Sequence, residues 1–208
     1  MKRKKDCLKT LELALCIGFT LTLLWGSISL QRQEQLADKV VRLHVLANSD
    51  SEADQALKLQ VRDSVIGYAE EILRSSANRD DAEEKLRTVL PQLELLAAQT
   101  VAEEGYAYPV TAQLQDTWFS TREYDGFTLP AGEYLALRLV IGEGAGSNWW
   151  CVVFPPLCAE TTESVARTAM AAGLSEEDVG LITEENQGYV LRFKSIELWE
   201  QLKAKLQK

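Results

Sequence analysis

Val-Val-Arg-Leu-His-Val-Leu, residues 40–46, runs straight into Ala-Asn-Ser-Asp-Ser, residues 47–51. The first seven are mostly β-branched or apolar and read as a buried strand. The next five are rich in side chains that cap helices with an oxygen. A helix is predicted over 52–74, with Leu57, Val61, Val65, Tyr68 and Ile72 on one apolar stripe. A second stripe holds Leu59, Ile66 and Leu73, with Gln55 and Arg62 on the same side, so this helix is expected to be covered on two sides.

Working downstream, Asn78, Asp80 and Asp81 open another helical stretch, faced by Leu86, Leu90, Leu93, Ala97 and Val101 and ended by Gly105 as a C-cap. Pro91 predicts a kink or a fresh start within it. Sheet signals follow. Val110, Ala112 and Leu114 alternate with polar residues, and residues 118–124, 133–141 and 149–154 read as strands. Asp125-Gly126 and Pro130-Ala131-Gly132 supply turn chemistry. A short helix is expected over 162–172, a last strand over 189–193, and a final helix with Ile196, Trp199 and Leu202 inward. The class is α+β, with helices packed on a largely antiparallel β-sheet.

Upstream, Lys2, Arg3, Lys4 and Lys5 precede an uncharged run over 13–30. That pattern is a signal peptide or an N-terminal membrane anchor, and it leaves cleavage or retention open. Residues 31–39 read as a polar tether, and 40–208 as a single extracytoplasmic domain. Of 22 Lys/Arg and 31 Asp/Glu, residues 1–30 hold five and two, so the remainder carries 17 and 29, a net of −12. An acidic body argues against nucleic acid as a partner, because phosphate binding needs clustered cations.

Catalytic motifs are scarce. His44 is the only histidine, and no HExxH, CxxC pair or GxSxG elbow occurs. Neither a metal, a cofactor nor a small-molecule ligand is expected. Arg42 and His44, two residues apart, share one face of their strand. Over 142–158, Gly-Glu-Gly-Ala-Gly-Ser-Asn-Trp-Trp-Cys-Val-Val-Phe-Pro-Pro-Leu-Cys, three alternating glycines precede a tryptophan pair on a strand. The glycines suit a tight solvent-facing turn before Asn148. Trp149 and Trp150 point to opposite sides, so one belongs to the core and the other is partly exposed. Cys151 and Cys158 are a candidate disulfide, permitted by export; the other reading is two buried thiols.

Residues 41–51, with Asp54-Gln55-Ala56-Leu57-Lys58 and Val61-Arg62-Asp63 after them, resemble the opening block of the stage II sporulation protein R family. Pro130-Ala131-Gly132-Glu133-Tyr134, Gly142-Glu143-Gly144 and residues 148–158 are similar to its second block, so the resemblance covers about 38–158. It implies a signalling protein of endospore formation, exported from the forespore into the intermembrane space. There the family triggers a membrane-embedded aspartic protease of the mother cell, which processes pro-sigma-E; the trigger is not itself an enzyme. The candidate contact groups are Arg42, His44, Asn48, Asp50, Gln55, Lys58, Arg62, Glu143, Asn148 and one of Trp149 or Trp150. For Asn48 and Asp50 the competing role is helix capping, and for Arg62 an ion pair. The rivals from other classes are an exported hydrolase using the 142–148 loop in a pocket, and an anchored scaffold.

Overall fold

The computed structural model describes residues 2–157 and 162–183. The chain forms two compact units, Met1–Gln35 and Leu36–Lys208. The first is the bulk of helix α1 (Lys2–Ala37), along which Leu15, Ile17, Phe19, Leu21, Leu23, Leu24, Ile28 and Leu30 are exposed. Among the described residues no helix is long and apolar enough to cross a membrane. The stretch expected to be a tether is helical as far as Ala37.

The second unit is built on strand β1 (Val41–Leu46), buried along its whole length. A strand buried on both faces belongs in the middle of a covered sheet, and the order is β2-β5-β1-β6. Here β2 is Val110–Phe119, β5 is Gly132–Ile141 and β6 is Asn148–Phe154. The central pair β1–β5 is parallel, from Val41↔Leu135 to Leu46↔Val140, whereas β1–β6 and β2–β5 are antiparallel. The sheet is therefore mixed rather than simply antiparallel. The long path between β1 and β5, through two helices, is the kind of crossover that lets neighbouring strands run the same way.

Those helices are α2 (Glu52–Leu73) and α3 (Arg79–Glu103), which pack on each other and on the sheet. Ser51 caps α2 by accepting from the Asp54 N–H. Leu57, Val61, Val65, Ala69 and Leu73 bury one face of α2 against Val41, Leu43, Val45 and the β5 leucines. Leu59 is exposed, so the predicted second stripe is not covered as a whole; from it Leu73 is buried and half-buried Ile66 packs against the core. Pro91 neither breaks nor restarts α3, which is continuous. Pro91 is on the solvent side, where water can satisfy the Arg87 carbonyl that the ring leaves without its donor.

The expected strand over 118–124 divides at Ser120. Its first residues extend β2, and Arg122–Tyr124 (β3) pairs with Phe127–Leu129 (β4) in a separate two-stranded ribbon around Gly126, whose φ is 81°. The ribbon, α4 (Thr162–Ala171) and α5 (Glu176–Ile182) bring Phe127, Leu129, Val165, Ala169 and Ile182 into a second core with Phe119, Tyr134, Ala136 and Val152 on the other sheet face. Lys39 ties the start of this unit to Asp178 of α5 at 2.6 Å. The strand expected over 189–193 and the helix after it lie outside the described residues.

Candidate functional site

The segment after β1 and the glycine-rich loop before β6 are stitched into one platform. The Glu143 N–H donates to Asn48 Oδ1 at 3.0 Å, Ala145 N–H to Asn48 O at 3.2 Å, and Gly146 N–H to Ala47 O at 3.0 Å. Ser147 donates to Asp50 Oδ1 from both its N–H and its hydroxyl, at 2.7 and 2.6 Å. Asn48 Nδ2 and Ser49 Oγ both donate to Asp54, which is itself buried in the first turn of α2. Gln55 donates to Ser49 O, and buried Lys58 donates to Gln55 Oε1 and Ser147 O.

Five of the expected contact residues thus have internal employment. Asn48, Asp50, Gln55 and Lys58 hold the platform together, and Ser51 rather than Asn48 or Asp50 caps the helix. Glu143 contributes its N–H to the same stitching while its side chain is exposed. The electrostatics match. Hydrogen bonds from Ser147 lower the Asp50 carboxyl below the usual range, and those from Ser49 and Asn48 do the same for Asp54. Burial lowers the Lys58 ammonium. The glycines are required by contact and not only by turn geometry. A Cβ on Gly142 would lie 2.2 Å from Asn48 Oδ1, and one on Gly146 2.2 Å from the Ser49 carbonyl oxygen.

The platform presents Arg62 and Trp149 side by side. The Arg62 guanidinium lies 4.3 Å from the centre of the Trp149 ring and pairs with Asp63 at 2.6 Å. Trp149 is the exposed member of the tryptophan pair, on the α2 side of the sheet opposite Val45. The expected ion pair of Arg62 is present, but so is a planar stack that a lysine could not reproduce.

Arg42, His44 and Trp150 lie on the other face. Arg42 is completely buried and has no carboxylate partner among the described residues. Its guanidinium sits 4.0 Å from the Phe119 ring centre and 5.0 Å from that of Tyr134, and donates to Tyr124 Oη at 2.6 Å. Among the described residues its Nε and Nη1 have no hydrogen-bond partner, nor has Trp150 Nε1. His44 and Trp150 meet edge to face at 6.0 Å. Burial pushes the His44 imidazole below its ordinary value; a hydrogen bond with Asn148 pulls the other way, and Arg138 and Arg42 add smaller lowering contributions. Asn148 itself is exposed at the start of β6.

A histidine with a depressed pKa takes up its proton more readily in the unfolded chain. Its contribution to stability is therefore present above about 6.5 and is lost as pH falls through that value toward the lower folded pKa. We expect the melting temperature of the wild type to fall between pH 7.5 and 5.5, and that of His44→Gln to fall less over the same interval. Parallel slopes would contradict this account.

Sequence reasoning missed Asp54, Ser147, Phe119, Tyr124, Arg122 and Arg138. Asp54 and Ser147 stood inside the quoted blocks, so proximity in the sequence was a usable signal. Phe119, Tyr124 and Arg122 come from the β2–β4 region, and nothing local indicates that it folds over Arg42. Cys151 is buried and disulfide-bonded. Cys158 lies outside the described residues, so pairing of the two stays an expectation. An open cleft of about 490 Å³ along Asp80, Glu83 and Arg87 holds none of the candidate residues.

The family described as stage II sporulation protein R matches residues 37–164. Stage II sporulation protein R of Bacillus subtilis (strain 168) is 34% identical over 154 residues, which cover 69% of this chain and 69% of that protein. No solved structure matches. The matched span contains both halves of the stitched platform, the stacked Arg62–Trp149 pair and the buried Arg42, and on that ground the chain belongs to the stage II sporulation protein R family, a family of sporulation proteins.

Proposed function

We propose that this chain is an exported contact signal of endospore formation. It crosses the forespore membrane behind its N-terminal segment and acts in the space facing the mother cell. There it binds a membrane-embedded aspartic protease and, by holding the active receptor state more tightly than the resting one, promotes processing of pro-sigma-E. It makes or breaks no covalent bond itself. Family membership carries this reading.

Two structural observations support it. The platform is a hydrogen-bonded base under a half-buried arginine against an exposed tryptophan, which is the composition of an interface hot spot. The 142–148 loop, which a hydrolase would need as a pocket wall, is instead closed onto residues 47–50 by backbone hydrogen bonds. Basic residues ahead of a helix with exposed apolar side chains support export.

Arg62→Ala and Trp149→Ala test the reading in sporulating cells and on the purified chain. Each is expected to lower pro-sigma-E processing by about tenfold, the scale of losing one anchor residue. Melting curves should show a stability change of about 1 kcal/mol or less, as for other surface substitutions. Wild-type processing by both folded variants, or turnover of a cell-wall or peptide substrate by the chain alone, would overturn it.

A further inference from the structure

The sheet face opposite α2 and α3 is covered at one end by the β3–β4 ribbon, α4 and α5, and among the described residues no element covers the other end. Gln113 and Gln115 of β2 and Asn148 of β6 are exposed there, and Arg138 of β5 and Trp150 are half-buried. Register places Arg138 beside both His44 and Gln113, and places Trp150 beside His44. From the ribbon, exposed Arg122 reaches over Trp150, its guanidinium 5.3 Å from the ring centre.

Two features of this area bear on what it takes. The first is charge. In a body of net −12, the four strands turn no carboxylate to this face. Along β2 and β5, Asp116 and Glu133 alternate onto the side of the buried Ala112 and Leu135, with the helices. Arg122 lies over Trp150, Arg138 is in register beside His44, and Arg42 is buried beneath against Phe119. The second is unmet donors. Among the described residues, Arg42 Nε and Nη1 and Trp150 Nε1 are buried without hydrogen-bond partners around Phe119. Phe119 is 4.0 Å from the Arg42 guanidinium carbon and 5.6 and 5.9 Å, centre to centre, from Trp150 and His44. Unpaired buried donors are uncommon in folded proteins and favour an acceptor-rich neighbour.

We propose that this open half-face docks an acidic polypeptide segment of a partner protein, with glutamate or aspartate side chains held by Arg122 and Arg138 above Trp150. The assignment rests on the reading of the chain as a contact trigger, and it gives that contact a chemistry and a second surface beyond Arg62 and Trp149. The acidic body disfavours a long polyanion or an anionic membrane. A short acidic segment keeps its charges over the cationic patch alone.

The test is a fluorescence-anisotropy titration of fluorescein-labelled hexaglutamate with the full-length chain in non-ionic detergent. Hexaglutamine and vesicles of phosphatidylglycerol serve as comparators. Hexaglutamate should bind more tightly than hexaglutamine and weaken as salt is added. The double variant R122E/R138E should weaken it by at least about tenfold, since charge reversal replaces two attractions with two repulsions. The neutral pair R122Q/R138Q should show an intermediate loss, which covers the case in which charge reversal unfolds the protein. Reversal of a remote exposed cation, Arg87→Glu, should leave affinity unchanged. Equal binding of the two peptides, affinity within twofold in both double variants, or a preference for vesicles would each overturn the proposal. Pro-sigma-E processing separates the two readings: full processing by folded R122E/R138E sinks this docking face and leaves the trigger assignment standing.

Discussion

Replacing Gly146 with alanine is expected to destabilise the protein by about 3 kcal/mol, in the range for forcing an atom into a packed site with no room to relax. The added Cβ would meet the Ser49 carbonyl oxygen at 2.2 Å and the Ser49 carbonyl carbon at 2.5 Å. Both are backbone atoms, so no side-chain rotation can relieve the overlap. The loop must lift instead, breaking the Gly146 N–H to Ala47 O bond and loosening the neighbouring bonds to Asn48 and Asp50. Gly105 is the control. Its φ of +84° suits glycine, yet nothing lies within 4 Å of a Cβ there, so Gly105→Ala should lose only about 1 kcal/mol, the penalty of a left-handed backbone for an L residue. Urea denaturation of the two variants checks the contrast. Equal losses would mean that the loop relaxes around the added Cβ and that the close approach to Ser49 is not required.

Arg42→Ala is expected to lose about 4 kcal/mol, whereas Arg42→Met should fall within about 1 kcal/mol of the wild type in either direction. The alanine variant leaves a hole where a whole arginine side chain lay between Phe119 and Tyr134, and leaves the Tyr124 hydroxyl without its donor. Methionine refills much of that volume. It forfeits the cation–π contacts and the Tyr124 bond, but it also removes a buried charge that has no carboxylate and two unpaired donors. These effects oppose each other and are of similar size. Thermal or urea unfolding of both variants decides the matter; a methionine variant as weak as the alanine one would show that the guanidinium itself, and not its bulk, holds the second core.

Much of the fold was legible because the signals were local. The boundaries of α2 followed from Asn48 to Ser51 meeting an apolar stripe, and observed α2 ends within a residue of the expectation. Gly105 ends α3 with a positive φ, as its position after the last periodic apolar residue implied. The opposite facing of Trp149 and Trp150 followed from strand alternation alone. The sequence pattern failed where a distant segment decided the outcome. Leu59 looked like core because its spacing was right, but it is exposed while Ile66 and Leu73 of the same stripe pack against the core. Pro91 looked like a break, but packing of α3 on α2 and the sheet holds the helix continuous.

From its residues alone this chain declared an α+β domain behind an N-terminal apolar segment, one strand too apolar to lie at an edge, and two blocks of family character. Those are properties of hydrophobic period, capping chemistry and residue order, and they need no knowledge of what lies nearby. Tertiary structure alone assigned work to those blocks. It turned Asn48, Asp50 and Lys58 inward as braces for the glycine loop, left Arg62 and Trp149 outside, and sealed Arg42 under Phe119 and Tyr134. The reason is physical: whether a polar side chain faces water or a backbone carbonyl depends on segments nearly a hundred residues away, and no periodicity along the chain encodes that approach.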